Sequence, residues 1–205
     1  MASAPHEGGE MAFLRSQSGL DVDAEIHGQQ VFLRHPAMGD YPAWAELRAL
    51  SRQHLTVWEP QWARDELARS AYRRRLRQYQ RELREDQGYA FFVFRHRDAA
   101  LLGGLSISTI RRGVAQAASI GYWIGAPYAG NGYMTDAVKA ILPFAFGTLG
   151  LHRLEAACLP HNGPSARVLE KSGFRREGTA RRYLKINGVW QDHLLFALLQ
   201  DDVRL

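Results

Sequence analysis

The chain has 205 residues, a formal net charge of +5, one cysteine, and nearly half of its residues apolar. That length suits one domain, and no apolar run approaches the roughly eighteen residues of a membrane-spanning helix. The lone Cys158 excludes an intrachain disulfide and any multi-cysteine metal site, while the positive balance fits a polyanionic partner.

Residues 1–28 are polar, bear Gly and Ser, and read as a poorly ordered arm ahead of a domain over 29–205. They lack the basic start and apolar stretch of a secretory signal, so a cytoplasmic location is the default expectation; Met11 offers an alternative start. Val31-Phe32-Leu33-Arg34 predicts a first strand, stopped by Pro36. Asp40 is then the expected N-cap of a helix to Leu50, with Pro42 in the first turn, where a missing N–H is harmless. Trp58-Glu59-Pro60-Gln61-Trp62 reads as an aromatic loop.

A long helix is predicted from Ala63 to about Asp86, rich in arginine from Arg64 to Arg84, with Leu67, Tyr72, Leu76, Tyr79 and Leu83 as its packing stripe. Its arginines fit a solvated face or one turned toward nucleic acid or a ribosome. Strands are predicted over 89–95, 101–110 (with a bulge at Gly103-Gly104) and 118–125. A helix over 132–148, a strand over 151–159, a helix over 164–172 and a strand over 174–180 follow. A final hairpin turns at Asn187-Gly188, where both central residues must accept positive φ. The class is α+β with a largely antiparallel sheet.

Tyr128-Ala129-Gly130-Asn131-Gly132-Tyr133-Met134-Thr135 joins a predicted strand to a predicted helix. Glycines let backbone approach an oxyanion closely, and free N–H groups converge at a helix N-terminus. A dinucleotide fold would need a third glycine where Thr135 stands, and would place this unit near the start of the chain, so that reading fails. About thirty residues on come Leu154-Glu155-Ala156-Ala157-Cys158-Leu159-Pro160-His161-Asn162-Gly163-Pro164-Ser165 and then Gly173-Phe174. Together the two blocks resemble the core motifs of the GNAT N-acetyltransferase superfamily. The segment from Tyr183 to His193 resembles its RimJ/RimL branch, and RimJ most closely, whose members acetylate the N-terminal amine of ribosomal proteins. The resemblance runs from Gln30 to the C-terminus.

The resemblance implies the GNAT fold, a mixed, mostly antiparallel sheet flanked by helices, with acetyl-CoA as co-substrate, no metal, and direct attack by a primary amine. Backbone amides of Gly130, Asn131, Gly132, Tyr133, Met134 and Thr135 would contact the pyrophosphate. The strand edge at Tyr122, Trp123 and Ile124 would pair with the pantetheine amides, and Asn162 would reach across that arm. Pro127 departs from the Gln or Arg usual at its place. Glu155 is the expected general base, matching a glutamate that serves so in RimI. Ser119 offers no acid on the preceding strand, and Arg182 stands where the branch carries a hairpin carboxylate. Leu169 replaces the family's acid tyrosine, and Ser165 matches a serine of the branch that can hydrogen-bond the departing sulfur. Asp192 and His193 point to opposite faces of a strand, and His152 and His161 lack metal-ligand spacing. The expected acceptor is the α-amine of a protein N-terminus, a ribosomal protein among the candidates. A small amine (amino acid, polyamine or antibiotic) is the alternative. From another class comes a degenerate CoA-binding module that docks on RNA or ribosomes through the arginine-rich helix.

Overall fold

The computed structural model describes residues 25–203, so most of the expected arm and the alternative start at Met11 lie outside the described residues. Within them, Ile26–His27 already forms a short strand, β1. Then follow β2 (Val31–Arg34), α1 (Tyr41–Leu50), α2 (Arg52–Leu55), α3 (Arg69–Arg84), β3 (Gly88–Arg95), β4 (Leu101–Arg111) and β5 (Ala117–Ile124). The second half comprises α4 (Tyr133–Pro143), β6 (Arg153–Cys158), α5 (Gly163–Lys171), β7 (Arg175–Ile186) and β8 (Val189–Leu199). The strands make one sheet in the order β1-β2-β3-β4-β5-β6-β8-β7, antiparallel throughout except for β5 with β6.

Helices cover both faces of this α+β sheet, which explains why β3 reads as an unbroken apolar run. Phe91 and Val93 face α4, whose Met134, Ala137, Val138 and Ile141 are buried in the larger core. Phe92 and Phe94 face the other way, under Trp44 and Leu47 of α1 and Tyr72 and Leu76 of α3.

Four local expectations change. The arginine-rich helix begins at Arg69, because Ala68 is extended (φ −69°, ψ 145°) and residues 63–67 turn back to set Asp65 and Glu66 against Arg74 and Arg75. The helix after the glycine loop stays α-helical only to Pro143 and finishes as a π-type turn over Phe144–Thr148. Asp40 makes no side-chain cap; its carboxylate accepts from Arg34 at 2.6 and 2.9 Å and from the Ala37 N–H at 2.8 Å. The bulge in β4 lies at Leu102, since Val93 pairs with Gly103 and Phe94 with Leu101. Gly103 and Gly104 serve a close approach instead: a Cβ on Gly103 would sit 2.2 Å from the Trp123 carbonyl oxygen, and one on Gly104 2.5 Å from the Trp123 indole nitrogen. The hairpin turn is as the sequence requires, with φ of 45° at Asn187 and 84° at Gly188.

One tie reaches from the first hairpin to α4. Asp136, in the first turn of α4, accepts from the backbone N–H groups of Gln29, Gln30 and Val31 at 3.0, 2.7 and 3.2 Å. The helix dipole favours an anion there as well.

Gly103→Ala is expected to destabilise the fold by at least about 2 kcal/mol, because the obstructing atom is backbone. Gly39→Ala, where a Cβ would meet nothing within 4 Å, should change stability little. Urea unfolding of both variants checks the contrast.

Candidate active site

β5 and β6 pair through only three residue couples: Ala117 with Arg153, Ala118 with Leu154, and Ser119 with Glu155. Beyond them the strands part. Ile120 to Ile124 continue along β4, while Ala156 to Cys158 continue along β8, so each strand keeps a partner on its outer side only. The result is a wedge whose two walls carry backbone N–H and C=O groups facing its interior. Such groups demand partners, and an extended molecule with amides of its own supplies them as an added strand would. Tyr122, Trp123 and Ile124 all lie on the open stretch of β5.

The glycine loop closes one end of the wedge. Gly130 and Gly132 have φ of +79° and +80°, values that L side chains rarely adopt, and a Cβ at either would meet nothing within 4 Å. The Asn131 side chain donates to the carbonyls of Tyr128 and Ala129 at 3.2 and 3.1 Å, which fixes the bend. α4 then starts with Gly132 accepting from the Asp136 N–H at 3.0 Å, so the amides of Tyr133, Met134 and Thr135 fall in the unbonded first turn. Open glycine backbone and unbonded amides of this kind can accept phosphate oxygens. Pro127 brings no cation to the loop. Arg95, at the end of β3, stands beside the loop instead: its guanidinium lies 5.4 Å from the Tyr128 ring centroid. Hydrogen bonds to Asp98 and then to Tyr133 hold its pKa above the usual arginine value.

At the mouth of the wedge three polar groups meet. Asn162 caps α5, its side-chain oxygen accepting from the Ser165 N–H at 3.2 Å, which leaves the amide NH2 to donate elsewhere. Ser165 is thus capped rather than capping. Its hydroxyl lies 2.9 Å from the Tyr122 hydroxyl, a bond that spans the wedge from β5 to α5. Burial pushes the Tyr122 pKa well above the ordinary tyrosine value, so the phenol stays protonated. Cys158 is buried beside Ser165, and burial raises its thiol pKa too.

Glu155 is the last residue of β6 paired with β5, at the vertex of the wedge. Arg111 bonds one of its oxygens at 2.6 Å and Arg153 the other at 2.9 Å. Burial pushes this carboxyl up, but the two guanidinium bonds outweigh it and the pKa falls below the usual glutamate value. A carboxylate held ionised by two guanidinium groups is a weaker proton acceptor than a free one. Asp192 and His193 make no pair: Asp192 accepts from the Arg182 N–H at 2.8 Å, and the His193 Nδ1 bonds the Gln191 carbonyl at 3.0 Å.

Sequence reading missed the groups on the α1 side. Arg48 is buried, bonds Glu59 through both terminal nitrogens at 2.8 Å, and lies 4.4 and 5.0 Å from the rings of Trp62 and Trp123. Ser51, also buried, accepts from the Ala126 N–H at 2.9 Å and so fastens the end of α1 to the lead-in of the glycine loop. The Asn187 N–H donates to the Glu59 carbonyl at 3.3 Å and draws the β7–β8 turn to the aromatic loop over 58–62. Arg48 carried no signal beyond helix periodicity, and Arg95 becomes visible only once β3 and β5 are seen to end at one edge of the sheet.

Comparison with known proteins agrees with this geometry. A family model described as an acetyltransferase (GNAT) domain matches residues 30–175. The probable N-acetyltransferase YjcK of Bacillus subtilis (strain 168) is 38% identical over 177 residues, covering 86% of this chain and 98% of that protein. The ribosomal protein uS5-alanine N-acetyltransferase of Escherichia coli (strain K12) is 33% identical over 165 residues, covering 80% and 85%. Among solved structures, Mycobacterium smegmatis RimJ in complex with CoA-disulfide superposes with a TM-score of 0.84 at 31% identity, covering 89% of this chain and 90% of that one. Among the described residues, no group of three or more His, Cys, Asp or Glu side chains is placed to hold a metal ion, and no helix is long and apolar enough to cross a membrane.

Replacing Gly130 and Gly132 together by Val should leave the core intact, since both sites are open, but force two disfavoured backbone conformations and fill the cradle. Calorimetric titration with coenzyme A should show affinity lowered by more than tenfold in a variant whose circular dichroism is unchanged.

Proposed function

The chain belongs to the GNAT family of N-acetyltransferases with acetyl-CoA as co-substrate, and within that activity we propose that it acetylates the α-amine of a protein N-terminus, in the first place that of a ribosomal protein. The similarity to a ribosomal-protein alanine N-acetyltransferase over most of both chains supports this acceptor. Such an acceptor places the reaction in the cytoplasm and implies association with ribosomal particles.

When bound, acetyl-CoA supplies an activated thioester carbonyl. The amides from Gly130 to Thr135 hold its pyrophosphate, the open edge of Tyr122, Trp123 and Ile124 pairs with its arm, and the Asn162 NH2 adds a donor across that arm. Tyr122 donates to Ser165 across their 2.9 Å hydrogen bond, and the Ser165 hydroxyl hydrogen-bonds the departing sulfur, while the proton that the attacking amine loses as the amide forms neutralises the thiolate, so neither side chain gives up its own proton. That bond across the wedge is the observation on which the catalytic assignment rests. Ion-paired Glu155 acts by charge and by fixing the vertex, without taking the proton.

The acceptor preference follows from the same point. Without a strong base, attack must come from the fraction of amine already neutral. A protein α-amine has a pKa of about 7.8 and a lysine side chain one of about 10.4, so at pH 7 the neutral fraction differs by roughly 340-fold. A peptide with a free N-terminal alanine should therefore be acetylated at least about a hundredfold faster than its N-blocked, lysine-bearing counterpart. Equal rates, followed by mass spectrometry, would point to a small-amine or side-chain acceptor.

Two variants probe the roles. Ser165→Ala and Tyr122→Phe should each lower kcat by about ten- to a hundredfold with little change in KM for acetyl-CoA. Glu155→Gln should lower the rate by a similar factor at every pH, leaving the acid limb where the amine's own ionisation puts it. Recovery of the variant at high pH would return Glu155 to the role of base.

A further inference from the structure

We propose that the exposed face of α3 is an RNA-binding rail that holds a ribonucleoprotein acceptor beside the wedge. The helix Arg69–Arg84 carries seven arginines against one glutamate, a formal +6, whereas the whole chain carries +5. The remainder of the protein sums to about −1, and α3 carries the largest net positive charge of any element, ahead of β7 with five cations against one glutamate. Packing determines where that charge goes. Tyr72 and Leu76 are buried under α3 and Tyr79 and Leu83 are half-buried beside them, which turns Arg73, Arg77, Arg81 and Arg84 to solvent.

Arg74 and Arg75 are neutralised by Asp65 and Glu66, at 2.5 Å in each case. Among the described residues, Arg73, Arg77, Arg81 and Arg84 have no ion-pair partner. Arg69, Arg73, Arg77 and Arg81 recur every fourth residue, about 6 Å apart along the axis. Like charges at that spacing weaken a helix, and the cationic side chain of Arg69 in its first turn opposes the helix dipole. A bound polyanion relieves both.

The face also discriminates between kinds of polyanion. Every exposed residue of α3 is arginine, serine or glutamine. A protein partner would need an apolar or aromatic anchor to bury, and the face offers none. A row of evenly spaced cations suits a backbone of evenly spaced phosphates, contacted without base reading. The rail adjoins the site: Arg75 bonds Glu66, Glu66 lies 3.8 Å from Arg48, and Arg48 stacks on Trp123 of the open strand. The inference extends the ribosomal acceptor reading, and its test separates the two.

The full chain is titrated with a fluorescein-labelled single-stranded RNA of mixed sequence at several salt concentrations. Four phosphate contacts predict a slope of log affinity against log salt of about −3. Reversing Arg73, Arg77 and Arg81 to Glu should weaken binding by more than tenfold and flatten the slope to about −1 or less. Should that variant fail to fold, R73Q/R77Q/R81Q, which only removes repulsion, should melt at or above the wild-type temperature and show the same flattening. Acetylation of a short alanine-initiated peptide should stay unchanged in both variants, while acetylation of a ribosomal particle slows. Unchanged RNA affinity and slope in a folded variant would overturn the rail, as would wild-type binding of poly-glutamate but not RNA. Failure to acetylate any peptide would instead count against the acceptor assignment and leave the RNA result standing.

Discussion

The parting of β5 from β6 after Ser119 and Glu155 leaves about five residues of one strand and three of the other with backbone groups that no neighbouring strand satisfies. A sheet interior rarely tolerates that. Here the gap is propped by groups at its two ends. Glu155 locks the vertex through Arg111 and Arg153, while Tyr122 and Ser165 bridge the mouth. The same constraint explains the neighbourhood. The Trp123 indole lies close over Gly104 and its carbonyl over Gly103, while α1 meets the half-buried ring with a group both flat and cationic, the Arg48 guanidinium. Burying Arg48 requires Glu59, and Glu59 recruits Trp62 and the β7–β8 turn. One missing stretch of strand pairing thus organises elements from five parts of the chain.

Two kinds of electrostatics coexist in this domain. Near the wedge nearly every charge is spoken for, and the ionised states are fixed: Glu155 low, Tyr122 high, Arg95 tied to Asp98. Fixed dipoles and donors that need no rearrangement suit a reaction whose charge moves from an amine to a sulfur. On α3 the opposite holds, with charge left uncompensated and exposed. The first arrangement suits a chemical step and the second suits encounter, and they are joined by the short chain of side chains from Arg75 to Arg48 and by the apolar cluster that Tyr72 and Leu76 share with Trp123.

The elements most legible in the sequence were those set by local chemistry. The glycine loop, the Asn187-Gly188 turn and α5 follow from backbone conformations that few residues accept. The alternation of Leu154, Ala156 and Cys158 placed Glu155 on the opposite side of β6, where it lies. Long-range features were harder to read. The ion pairs of Glu155 reach to Arg111, forty-four residues earlier, and no local pattern could show that two guanidinium groups converge on one carboxylate. The start of the arginine-rich helix was set too early because Asp65 and Glu66 look like helix residues with i,i+4 partners, but pair across nine positions from a turn. Gly103 and Gly104 were assigned to the commonest reason for paired glycines in a strand, whereas their neighbour across the sheet supplied the actual one.

Asp136 carries a last consequence. It stands in the first turn of the very helix whose N-terminus forms the phosphate cradle, where a bare carboxylate would repel the ligand. Three backbone amides from residues 29–31 absorb its charge. The hairpin of β1 and β2 thus gives this carboxylate fixed donors from more than a hundred residues away in the sequence. The family match begins at residue 30, within this strap, so an excision at that boundary would remove Gln29 and the hairpin behind it. A fragment cut there would keep every motif by which the family is recognised and lose one of the three amides that hold Asp136 in place.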